Sequence, residues 1–177
     1  ESSTFFGREI GLMYVHEHIR YAESLAATGK AEAFVKALRQ AIPVAYREVV
    51  PQGDIRQANC YYSSSDVHFK SRYEADERYE DVLKGDFKLR GGWRVYSSGP
   101  GIFIGIVITR LLGIRIESGS IILDPVLPFS MDGLEVSMDF MDYPVRFRYS
   151  VKEDNFSPRG ININGEDVVF TYEDNPY

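Results

Sequence analysis

One cysteine, three histidines and one tryptophan are all that this 177-residue chain holds of the residue types that build disulfide frameworks, metal centres and aromatic cages. The single Cys60 excludes an internal disulfide and fits a reducing compartment. His68 has no second imidazole at metal-ligand spacing, so a zinc or copper site is not expected. No apolar run approaches the roughly 18 residues of a membrane span, and the N-terminus opens on Glu1 without a methionine or a signal-peptide layout. The expectation is a cytoplasmic protein without a membrane partner, and an excised or processed piece of a longer chain. Basic clusters are missing as well. With 20 Lys and Arg against 26 Asp and Glu, the formal charge is -6, and counterion release from nucleic acid needs a basic face that is not there. No nucleophile elbow, internal repeat or low-complexity segment is present.

What is present is a core-forming composition. An apolar share of 44% suffices for one ordinary domain or two small ones. Twelve tyrosines and 11 phenylalanines exceed the needs of a plain helical bundle and fit β-structure or a sugar-binding cleft.

Two hydrophobic periods divide the chain. From Gly11 to Ala27, Leu12, Val15, Ile19, Ala22 and Ala26 recur at helical spacing until Thr28-Gly29. Ala31 to Ala41 repeats the pattern through Phe34, Val35 and Leu38, and Pro43 stops it, which makes a helical hairpin. Val49 to Gly92 is polar, tyrosine-rich and longer than an ordinary connection. Within it RYEADERYED, Arg72 to Asp81, reads as a solvated helix face through Glu74, Glu77 and Arg78. A third helix is expected from Ile102 to Leu112, closed by Gly113. Beyond it the period becomes two. Strands are expected at Ile121 to Leu123, Leu134 to Phe140, Val145 to Val151, Ile161 to Ile163 and Val168 to Tyr172. Asp132-Gly133, Asp142 to Pro144, Ser157-Pro158 and the strong hairpin signal Asn164-Gly165 separate them. The fold class is α+β, helices first and an antiparallel sheet or sandwich second, with the boundary near residues 113 to 120.

The run GGWRVYSSGPGIF, Gly91 to Phe103, joins two serines to closely spaced glycines. Ser97, Ser98 and Gly99 offer hydroxyl and amide donors with little steric bulk, ahead of a helix whose positive end would face them. The same letters also describe a serine-capped helix start.

Six runs in order resemble the C-terminal part of a glycoside hydrolase family 94 phosphorylase. They are REIGLMYVHEHIRYAESLA (Arg8 to Ala26), IRQANCYYSSSD (Ile55 to Asp66), GGWRVYSSGPGIF, LLGIR ending at Arg115, LDPVLP (Leu123 to Pro128) and the closing INGEDVVFTYEDNPY. Within the family the chain is most similar to the cellobionic acid and cellobiose group, with laminaribiose-type enzymes next. The resemblance implies that residues 1–113 are the last helices and site loops of an (α/α) six-hairpin barrel, and 114–177 a C-terminal β-domain. It implies an inverting phosphorolysis of a β-linked disaccharide or sugar acid to α-glucose 1-phosphate, in a homodimer without cofactor, inorganic phosphate being a substrate. The family's general acid, an upstream Asp, matches no position here, so the isolated chain is expected to be inactive.

Site roles follow from the same resemblance. His16 matches a phosphate-binding histidine, although a structural His on a helix explains it equally, and His18, two residues on, faces another side. Ser97, Ser98 and Gly99 match a phosphate loop whose usual members are Thr and Gly. Ser64 falls where many members carry a phosphate-contacting Gln. Arg8 and Glu9 match a Lys-Glu pair that contacts the departing sugar, and an arginine suits a sugar-acid carboxylate through two parallel hydrogen bonds. A solvated ion pair at a helix start is the alternative for Arg8-Glu9. For the chain as a whole the alternatives are a non-catalytic carbohydrate-binding module, with Trp93 and the tyrosines as a stacking platform, and a domain that seals the barrel.

Overall fold

The computed structural model describes residues 13–44, 46–57, 60, 62, 64–67, 69–91, 98–152 and 158–172. Helix α1, Val15–Ala27, buries Val15, Ile19, Ala22, Leu25 and Ala26, one stripe at three- and four-residue spacing. Gly29 stops it with φ 69°, as the Lys30 amide donates to the Leu25 carbonyl and the Gly29 amide to Ala26, both at 2.9 Å. Helix α2, Ala31–Ala41, presents Phe34, Ala37, Leu38 and Ala41 to the same core, and the helical hairpin forms as expected. His18 Nε2 donates to the Ala37 carbonyl at 2.7 Å, tying the two helices together.

The start of α1 differs from expectation. It begins at Val15 rather than Gly11, because Met13–Tyr14 is extended as strand β1 and pairs antiparallel with strand β2, Ser64–Asp66. Strand β3, Arg90–Gly91, adds to the other edge of β2 and completes a three-stranded sheet in the order β1-β2-β3.

The segment after α2 is more than a connection. It holds a short turn of helix, α3 (Tyr46–Val49), then α4 (Arg72–Glu77) and α5 (Tyr79–Lys84), with a small core of Val67, Phe69 and Ala75 lined by Val82, Phe87 and Leu89. Ser71 caps α4 by accepting from the Glu74 amide at 3.2 Å, and Glu74 Oε2 accepts from the Lys70 amide at 2.7 Å. Arg78 lies within 3.7 Å of Glu74 and 3.3 Å of Asp81 while its guanidinium covers the Phe87 ring, so the RYEADERYED run is the solvated helical face expected.

Helix α6 begins at Ser98, four residues before the expected Ile102, and runs to Ile106. Pro100 is tolerated there because the amides of a first turn have no intrahelical partner to lose. The expected α-helical continuation to Leu112 is instead a π turn, Val107–Leu111, with the Leu112 amide bonded to the Val107 carbonyl at 2.9 Å. Neighbours bond carbonyls of this wider turn. The Val126 amide donates to the Arg110 carbonyl at 3.0 Å, and Arg115 Nη1 to that of Thr109 at 3.3 Å. Gly113 sits at φ 68°, where an added Cβ would strike the Asp124 and Pro125 backbone, so the LLGIR and LDPVLP runs form one clasp.

The second half has the expected antiparallel strands but not one sheet. Among the described residues it forms three two-stranded hairpins: β4 (Ile114–Glu117) with β5 (Ser120–Leu123), β6 (Glu135–Phe140) with β7 (Tyr143–Arg148), and β8 (Ile161–Ile163) with β9 (Glu166–Val168). Pro125, Pro128 and a 3-10 turn at Phe129–Met131 carry the chain away between the first two. Strand β4 was not expected. The strand expected at Val168 to Tyr172 lies earlier, since the Asn164-Gly165 turn pairs Ile163 with Glu166 directly. Tyr149 Oη donates to the Leu112 carbonyl at 2.9 Å and anchors the second hairpin to the end of the helical half.

Candidate functional site

Each strand of the β1-β2-β3 sheet is continuous with one of the segments singled out from sequence. Strand β1 runs directly into α1, whose second residue is the half-buried His16. In β2, Ser64 is the register partner of Tyr14, two residues before His16. Strand β3 ends at Gly91, the register partner of Ser65 and the first residue of GGWRVYSSGPGIF. The sheet therefore brings the His16 and Ser64 segments side by side and holds the entry to the third. Ser98 and a buried Gly99 are the opening residues of α6, a helix start rather than a turn before one, and α6 packs its Ile106 into the same core as Val15. Arg110 in the following turn pairs with Glu23 of α1 at 3.8 Å. Ser97, Arg8, Glu9 and Trp93 lie outside the described residues, as does His68. His18 is bonded across to α2 and has a structural role.

The most elaborate arrangement beside the sheet was not anticipated. Arg56 is 7% exposed, and its guanidinium lies 3.7 Å from the Tyr46 ring centroid and 5.1 Å from that of Tyr62. Burial pulls its pKa below the ordinary arginine value, opposed by Tyr46 and Tyr62. Two glycines pack against the rings: a Cβ on Gly53 would lie 2.5 Å from Tyr46 Cε1, and one on Gly91 would strike Tyr62 Cε1. The only sequence signal was an arginine within a tyrosine-rich run, and the arrangement is closed by Gly91 from a distant strand. Among the described residues no group of three or more His, Cys, Asp or Glu is placed to hold a metal ion.

The comparison that decides the relationship is with a curated protein. Over 166 residues, 94% of its length, the chain is 42% identical to a 1,2-beta-oligoglucan phosphorylase of Listeria innocua serovar 6a (strain ATCC BAA-680 / CLIP 11262). The chain is a glycoside phosphorylase relative. No family model matches it. The chain spans about 15% of the length of the curated protein it matches, and the match extends across both its helical and its hairpin half. Among its described residues, no helix is long and apolar enough to cross a membrane.

Proposed function

We propose that this chain supplies the phosphate side of an inverting glycoside phosphorylase, a longer polypeptide that cleaves a β-glucosidic bond with inorganic phosphate and yields α-glucose 1-phosphate. The observation that carries the proposal is the 42% identity over 94% of the chain to a phosphorylase. In this reading a phosphate oxygen attacks the anomeric carbon from the face opposite the leaving oxygen, and an upstream Asp protonates that oxygen. The residues given to phosphate are His16, Ser64, Ser97, Ser98 and Gly99, since a dianion needs donors converging from several segments. The pairing of Tyr14 with Ser64 supports that convergence for two of them. Arg8 and Glu9 hold the departing sugar. Without its acid the isolated chain is inactive.

The helices are assigned as the last of an (α/α) barrel, residues 1–113, and the hairpins as the β-domain, residues 114–177, of a cytoplasmic homodimer. The character of α6 supports the first assignment. SGPGIFIGI is apolar all round, as in helices buried on every side, yet Ile104 is 56% exposed. The residues of the barrel that precede this chain would cover it.

Within the cellobionic acid or cellobiose class of substrate, Arg8 favours cellobionic acid, whose departing half is a sugar acid. The matched relative acts on a 1,2-β-oligoglucan by its name, which favours that substrate as a second reading. Phosphorus-31 NMR of the polypeptide containing this chain and its upstream barrel, incubated with phosphate and each substrate in turn, separates them. One substrate is expected to give glucose 1-phosphate, and His16→Ala to lower kcat/KM for phosphate by about 100-fold. Absence of glucose 1-phosphate with every β-glucoside would refute the proposal, and phosphate-independent sugar binding would point to a carbohydrate-binding module.

A further inference from the structure

We infer that Arg56 is a positioning residue that sets the strength of phosphate binding by fixing strand β3 through the ring of Tyr62. The inference rests on the phosphorylase reading above and assigns a role to a residue outside the proposed phosphate contacts. The Arg56 guanidinium lies against both the Tyr46 and the Tyr62 rings, the Gly53 backbone abuts the Tyr46 ring, and the Gly91 backbone abuts the Tyr62 ring. Each glycine is tight enough that a single added carbon would collide with its ring. The stack spans from α3 to β3 with no room for a side chain at either end.

Three further contacts tie the ends together. The Asp54 amide donates to the Leu89 carbonyl at 2.8 Å, the Leu89 amide to the Gln52 carbonyl at 3.0 Å, and Arg90 pairs with Asp54 at 3.7 Å. Tyr62 Oη accepts from the Gln57 amide at 3.3 Å, which holds the ring in the plane of the stack. A shift at Arg56 is therefore transmitted to Gly91.

Gly91 matters because of what its sheet feeds. Strand β1 leads into His16, β2 carries Ser64, and β3 leads along the chain to Ser98 and Gly99. Moving β3 against β2 changes the separation of the phosphate segments. A planar guanidinium can lie flat against two rings, and a lysine ammonium on a flexible stem cannot.

The test is steady-state phosphorolysis by the polypeptide that contains this chain and its upstream barrel. Arg56→Lys and Arg56→Met are expected to raise the phosphate KM about tenfold, with the sugar KM changed by less than about twofold. Gly91→Ala is expected to do the same from the other end of the stack, and combining it with Arg56→Lys to add little. Tyr62→Phe, which keeps the ring and loses only the bond from Gln57, should stay within about threefold of the parent. Circular dichroism of each variant guards against misfolding, and Arg56→Lys, the smallest change, decides if the others fail to fold. An unchanged phosphate KM, or an equal change in both KM values, would overturn the inference while leaving the phosphorylase reading intact. A parent enzyme that makes no glucose 1-phosphate would overturn that reading, and the inference with it.

Discussion

Tyr149 ties the second hairpin to the end of the helical half through its hydroxyl. Its bond to the Leu112 carbonyl, 2.9 Å long, is half-buried, and burial pushes the phenol pKa from 10.0 up to about 12. The native state therefore favours the protonated form more than the unfolded chain does. The resulting stability is fully present below about pH 10 and is lost as pH rises through about 12. Tyr149→Phe is expected to lower stability by about 1 kcal/mol at neutral pH and to flatten its decline above pH 10. Urea titrations of both proteins across that range check it, and parallel declines would show that another group governs the alkaline limb. Of the other single residues, His16 and Ser64 were named from sequence, and their segments lie side by side through the Tyr14–Ser64 strand pair. Arg56 was not, since nothing local distinguishes a stacked arginine from a solvated one.

Among elements, the hairpins show how much a turn reveals of itself. All three close through two residues at positive φ: Ser118-Gly119 at 50° and 81°, Met141-Asp142 at 52° and 66°, and Asn164-Gly165 at 54° and 94°. Such turns match strand twist and favour Asn and Gly. Asn164-Gly165 was legible for that reason, and Ser118-Gly119 carried the signal without a strand being expected before it. Met141-Asp142 was not legible, because neither residue advertises a left-handed backbone, and the turn was expected one residue later. Asp142→Gly is accordingly expected to stabilise the protein by about 0.5–1 kcal/mol in chemical denaturation. A loss of stability would mean that the Asp142 side chain contributes more than its backbone strain costs. Helices α1 and α2 were readable from period and stop signals. The onset of α6 was legible only as one of two readings, since glycine and proline announce a turn unless a helix start accommodates them.

In the whole molecule, the helical half sets a closed core beside an apolar helix that is only partly covered. Ile19 and Phe34 are fully buried in its core, yet Ile104 on α6 is more than half exposed. Replacing Ile104 by Glu in the isolated chain is expected to change stability by less than about 0.5 kcal/mol, as at an open surface. In the polypeptide carrying the upstream barrel the same change should cost more than about 2 kcal/mol, because it would bury an unpaired carboxylate. Thermal denaturation of both forms measures the difference, and equal effects would place Ile104 on a solvent face and remove the support α6 gives to the barrel.

The sequence by itself determined what depends on near neighbours: the helical hairpin, the alternating strands, the Asn164-Gly165 turn, and the phosphorylase likeness carried by six short runs. Tertiary structure decided what depends on distant partners. Strand β1 exists only because β2 takes up its backbone groups, the π turn only because Val126 and Arg115 bond its carbonyls, and the Arg56 stack only because two glycines admit two rings. A period records which face of a segment is apolar, and it carries no record of what that face or its free backbone groups will meet.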